Sequence, residues 1–121
     1  MLLLHILLLL SSSTAEKYTT SPTVHTTLGP IVGNTITKTL DNGSTVQVEV
    51  YLGIPYAAST AGNNRFRTTQ ARQPWNATRN STLYGPGCPQ ADHNPDVPKI
   101  QSEDCLNLNV WLPTKTATAT A

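Results

Sequence analysis

"SEDCLNLNVWLP", Ser102 to Pro113, decides how the rest of the chain is read. Leu106, Leu108, Val110 and Leu112 alternate with Asn107, Asn109 and Trp111, the period-2 pattern of a strand with one apolar face. The strand is expected to be entered from Cys105 and to end at Pro113, because proline donates nothing to a ladder. The final eight residues, "TKTATATA", have side chains too small to build a second layer over it.

Working back towards the amino terminus, "VQVEVYL" repeats the pattern, with Val46, Val48, Val50 and Leu52 on one face and Gln47, Glu49 and Tyr51 on the other. It runs into "GIPYA", where Gly53 and Pro55 are expected to end regular pairing. A third strand lies in "LGPIVGNTITKTL", whose Val32, Ile36 and Leu40 share one parity. "DNGS", Asp41 to Ser44, is the turn between the two, with Asn42-Gly43 able to supply the positive φ angles of a tight hairpin. Three strands thus offer one apolar face each. From Ala57 to Ile100 no strand or helix period is sustained, and five of the nine prolines lie there. A loop of that length is unusual in a compact domain unless it is functional, stapled or wrapped over something larger.

The 121 residues carry eight Lys and Arg against seven Asp and Glu, for a net charge of +1. The basic residues are scattered from Lys17 to Lys115, so no nucleic-acid footprint is present. Residues 1–15, "MLLLHILLLLSSSTA", read as a secretory signal peptide with Ser13 and Ala15 placed for cleavage. Its apolar run falls short of the roughly 20 residues a bilayer requires, so no membrane anchor is expected after cleavage. Residues 16–26 form a polar, Thr-rich leader. Three N-x-[ST] sequons, at Asn42, Asn76 and Asn80, suit a secreted chain and are possible N-glycosylation sites. In that compartment Cys88 and Cys105 read as a disulfide rather than a metal site or a nucleophile.

Six collinear stretches carry a resemblance: "GPIVG" (Gly29–Gly33), "YLGIPYA" (Tyr51–Ala57), "RF" (Arg65-Phe66), Trp75, "YGPGCPQ" (Tyr84–Gln90) and "SEDCL" (Ser102–Leu106). Together they resemble the amino-terminal region of the type-B carboxylesterase and lipase family, which includes the cholinesterases. The resemblance spans Thr26 to Pro113 and implies an α/β-hydrolase fold, of which this piece would be mostly β strands with a long proline-rich loop. It implies that Cys88–Cys105 is the family's first disulfide, near the mouth of the active-site gorge. It also implies a buried ion pair between Arg65 and Glu103, in which an Arg fork ties the loop to the last strand. The disulfide loop, "PQADHNPDVPKIQSED", lacks the aromatic that binds choline in cholinesterases, which favours a general esterase or lipase of fungal type.

The resemblance implies serine acyl transfer, which needs a G-x-S-x-G elbow, a His base, an acid and a glycine-rich oxyanion loop. The sequence has no such elbow, its nearest text being "NGSTV", and no "HGG" comes after Pro113. His5 lies in the signal and His25 in the leader. His93, with Asp92 and Asp96, reads as a solvated loop rather than a metal site. Glu103 and Asp104, adjacent on a strand, would point to opposite faces and serve structure rather than acid–base chemistry.

The expectation is therefore a signal (1–15), a leader (16–26), the amino-terminal part of a carboxylesterase type-B domain (27–113) and a low-complexity end (114–121). The chain would belong to a secreted serine carboxylic ester hydrolase acting on ester or lipid substrates. It would need no cofactor or metal and, lacking its own catalytic residues, would be inactive alone. Two rival readings are a non-catalytic, cholinesterase-like adhesion protein and a free-standing secreted module, the latter short of a core.

Overall fold

The computed structural model describes residues 16–91 and 99–117. Among these residues seven strands form, β1 (Glu16–Thr20), β2 (Val24–His25), β3 (Pro30–Val32), β4 (Asn34–Thr39), β5 (Thr45–Pro55), β6 (Arg79–Asn80) and β7 (Asn107–Ala117), with one 3₁₀ turn at Gly62–Asn64. Four make an antiparallel sheet in the order β1-β4-β5-β7, and three short ones a second sheet in the order β2-β3-β6.

The polar leader is extended but not loose. Residues 16–20 pair along their whole length with β4, Glu16 opposite Lys38 and Thr20 opposite Asn34. Tyr and Thr suit a pleated edge, and the Glu16–Lys38 ion pair at 3.7 Å adds a cross-strand contact. Among the described residues the first strand thus lies in the leader itself.

The β4–β5 hairpin forms where "DNGS" places it, through a different turn. Of its residues only Gly43 has a positive φ, 77°. The Gly43 N–H donates to the Leu40 carbonyl (2.9 Å) and the Leu40 N–H to the Ser44 carbonyl (2.8 Å). This is a three-residue loop closed by a left-handed glycine, not a two-residue turn with Asn42 also left-handed.

β5 does not stop at Gly53. It passes through a bulge there and continues to Pro55, opposite Asn107. Gly53 adopts φ 64°, its N–H donates to Asn109 Oδ1 at 2.9 Å, and a Cβ would lie 2.8 Å from the Leu83 carbonyl oxygen. The extra residue reverses the alternation, so Tyr51 and Ile54 reach the same cluster. β7 likewise runs on past Pro113, which pairs with Val48 beside a second register shift. An edge strand can hold a proline at such an irregularity.

The registers do not bring the three apolar stripes onto one face. Directly opposed residues of an antiparallel pair share a face. Val50 stands opposite Trp111 and Val48 opposite Pro113, whereas Tyr51 stands opposite Val110 and Glu49 opposite Leu112. Trp111 therefore joins Ile36, Leu40, Val46, Val48 and Val50 around an open trough of about 300 Å³. Leu108, Val110 and Leu112 lie on the other side of the sheet, 39–49% exposed. Apolar residues thus stand open on both sides. The core proper is small and joins the two sheets: Ile31 of β3, Tyr51 and Ile54 of β5, with Trp75 packed against them.

Candidate functional site

Three ties stand out along the described residues of the irregular segment between β5 and β7. The first is Trp75, whose backbone N–H donates to the Leu28 carbonyl (2.7 Å) and whose indole N–H donates to the Pro30 carbonyl (2.9 Å). Arg79 lies over the indole, 5.9 Å from the ring centroid. The second is Ser81, fully buried, whose N–H donates to Val32 and whose carbonyl accepts from Leu52, both at 2.7 Å. It links β3 to β5.

The third point is the cross-link anticipated from the cysteines. Cys88 and Cys105 form a disulfide with their Cα atoms 5.0 Å apart. The loop ends are drawn together again where the Gly87 N–H donates to the Ile100 carbonyl (3.0 Å) and the Ser102 N–H to the Gly87 carbonyl (2.9 Å). Asn107, the first residue of β7, completes the joint by donating from Nδ2 to the Pro86 and Cys105 carbonyls, each at 3.0 Å.

Arg65 and Glu103 meet beside the disulfide, Nε to Oε1 at 2.8 Å. The pair is not buried as expected. The Arg65 side chain is 61% exposed, so the contact contributes at most about 1 kcal/mol. The Glu103 carbonyl also accepts a hydrogen bond from the Thr60 hydroxyl. Phe66, 96% exposed with φ 60°, carries the Arg65 guanidinium 5.0 Å from its ring centroid.

Glu103 and Asp104 face opposite ways, although they precede β7 rather than lying in it. Glu103 lines a shallow hollow with Thr60, Arg65, Phe66, Pro89 and Cys105. Asp104 lines another, of about 180 Å³, with Arg72, Arg79 and Ser102. The Ser102 hydroxyl accepts from the Asp104 N–H (3.1 Å), and His25 lies in the second sheet. These contacts are architectural. Among the described residues no serine is paired with a histidine base.

Asn42 and Asn80 are exposed, Asn42 in the hairpin loop and Asn80 in β6; Asn76 is exposed next to Trp75. The signal segment 1–15 and the group Asp92, His93 and Asp96 lie outside the described residues.

One core residue was hidden from pattern reading. Tyr51, assigned by parity to the polar face, is 3% exposed and donates to Glu49 Oε2 at 2.8 Å. Burial, followed by the Glu49 carboxylate, raises its pKa above the ordinary tyrosine value, with Ser21 opposing. The glycine two residues on was the available signal, since a strand glycine often marks a bulge.

This architecture is found in known esterases. The chain matches the amino-terminal part of α/β-hydrolase esterase structures. Against the juvenile hormone esterase of Manduca sexta, the TM-score is 0.63 at 29% identity, over 75% of this chain and 17% of that one. The model of the carboxylesterase family matches residues 20–121, and the chain belongs to that family. Carboxylesterase 1D of Rattus norvegicus is 35% identical over 119 residues, covering 88% of this chain. Neuroligin-3 of Mus musculus is 33% identical over 120 residues, covering 84%. The chain spans about a fifth of the rat relative's length and 14% of the mouse one's.

Proposed function

We propose that this chain is the amino-terminal scaffold of a secreted serine carboxylic ester hydrolase of fungal type, and that it does not turn over esters alone. The observation that carries this reading is the joint at Cys88, Cys105 and Asn107, with Arg65–Glu103 beside it. It unites three of the six stretches that resemble the family, using groups that hold the chain rather than react. Ester or lipid substrates would be bound and cleaved by the complete protein. A disulfide, three sequons and the apolar stretch at residues 1–15 support passage through an oxidising secretory compartment.

A non-catalytic binding protein is the second reading, favoured by the near-equal identity to Carboxylesterase 1D and to a relative not named as an esterase, Neuroligin-3. Sequencing the transcript beyond the Ala121 codon separates the two. A glycine-rich oxyanion loop and an intact G-x-S-x-G elbow support the hydrolase, while an elbow without its serine favours the binding protein. A stop codon at that point overturns the hydrolase. Purified chain challenged with a fluorophosphonate, which labels activated serines, should remain unlabelled, and stoichiometric labelling would refute inactivity of the chain alone.

A further inference from the structure

We propose that Asn42 and Asn80 are the N-glycan acceptors of this chain and that Asn76 is passed over. The inference rests on the secretory reading above. All three sequons satisfy the motif, so what separates them is local conformation.

At Asn42 the side-chain carbonyl Oδ1 accepts from the Ser44 N–H (3.0 Å) and the Ser44 hydroxyl (2.6 Å). At Asn80 the same pair recurs, from the Thr82 N–H (3.1 Å) and the Thr82 hydroxyl (2.7 Å). Each sequon is thus closed on itself, its third residue bonded to the asparagine carbonyl. With Oδ1 satisfied, the amide nitrogen Nδ2 is the group left to meet an enzyme. These bonds span two residues and require no tertiary contact, so they can form in a chain that has not yet folded.

Asn76 has no corresponding bond to Thr78 among the described residues. Its neighbour Trp75 is tied inward through both nitrogens, and Arg79 lies across the indole. The stretch is thus anchored at Trp75 and again at Arg79, which pairs with Ile31 in the second sheet, and the exposed residues between them do not close into an Asx turn.

The folded chain has room for sugar at both proposed sites. Asn42 is exposed in the hairpin loop, where a Cβ on the adjacent Gly43 would meet nothing within 4 Å. Asn80 is exposed while its neighbour Ser81 is anchored inward, so a glycan there would point away from the core. In the reaction, Nδ2 attacks the anomeric carbon of an oligosaccharide carried on a lipid pyrophosphate. The N–C bond forms and the C–O bond to pyrophosphate breaks. The lipid pyrophosphate leaves with the electron pair, and a base of the transferase takes the proton from Nδ2.

The test expresses the full chain in a eukaryotic secretory host, once with its own leader and once with residues 1–15 replaced by a strong heterologous signal. Glycans are removed enzymatically in heavy-oxygen water, and occupancy is read at each site as the heavy aspartate fraction. Occupancy at Asn42 and Asn80 should exceed that at Asn76 several-fold. Equal or greater occupancy at Asn76, or bare Asn42 and Asn80 behind the heterologous signal, overturns the proposal. Glycans that appear only behind the heterologous signal would refute the secretory reading and leave the site ranking intact. Peptides spanning residues 38–46, 72–80 and 78–86, offered to microsomal transferase, isolate the local effect. With the tertiary ties of Trp75 absent from a peptide, all three should react at similar rates, and a 72–80 peptide several-fold slower than the others would count against the tie at Trp75 as the cause.

Discussion

The four-stranded sheet and the segment that joins β5 to β7 are ordered by opposite means. In the sheet a repeating ladder fixes each residue through its neighbours, yet much of its apolar surface is left open. In the segment almost nothing repeats, and the backbone is held at Trp75, at Ser81 and at the Cys88–Cys105 joint. Periodicity supplies local order cheaply, whereas a loop needs discrete ties to offset the entropy of fixing it. The two regions meet at Tyr51, and the variants that would break the contrast begin there.

Tyr51→Ala removes a buried aromatic at the junction of both sheets and should cost about 3–5 kcal/mol, enough to abolish a cooperative urea transition. A loss below about 1 kcal/mol would mean that the sheets are stable independently of each other. Cys105→Ser should cost about 3 kcal/mol by releasing the loop in the unfolded chain, and should leave Cys88 open to thiol reagents in the native state. Unchanged secretion yield together with a labelled Cys88 in the parent protein would show that the bond does not form.

Gly53→Ala places a Cβ at φ 64° against the Leu83 carbonyl and should cost about 1–3 kcal/mol, with amide exchange quickening on both sides of the bulge. A double-mutant cycle on Arg65→Ala and Glu103→Gln should return less than about 1 kcal/mol of coupling, diminishing with salt. A larger, salt-insensitive coupling would mean that the pair is buried in the assembled protein. The smallest effect is alkaline. The folded-state pKa of Tyr51 lies above its unfolded value of 10.0, so its contribution is complete below pH 10 and is lost as pH rises through the folded value. Tyr51→Phe should flatten that part of the stability profile and lower the neutral plateau by about 1 kcal/mol through the lost hydrogen bond to Glu49.

Sequence periodicity disclosed the strands but not how they face one another. The Val46, Val48, Val50 stripe and the Leu108, Val110, Leu112 stripe were each legible alone. Their placement on opposite sides depends on a register set by two bulges, which no single strand encodes. Pro113 misled as a stop signal because edge position, a property of the whole sheet, decides whether a proline is tolerated. The leader's pairing was missed since an edge strand exposed along its length has no apolar alternation to betray it. The Arg65–Glu103 contact was reached through resemblance, and its exposure could not be, since burial depends on chain packed around it.

Trp111 and Trp75, the only two indoles of the chain, occupy contrasting surroundings. Trp75 is packed against the core with its N–H held by a carbonyl, while Trp111 is 53% exposed in the trough. The chain therefore contains a fluorescent indicator and its own internal standard. Any structure laid over the valine stripe would shift the emission of Trp111 to the blue and leave that of Trp75 in place.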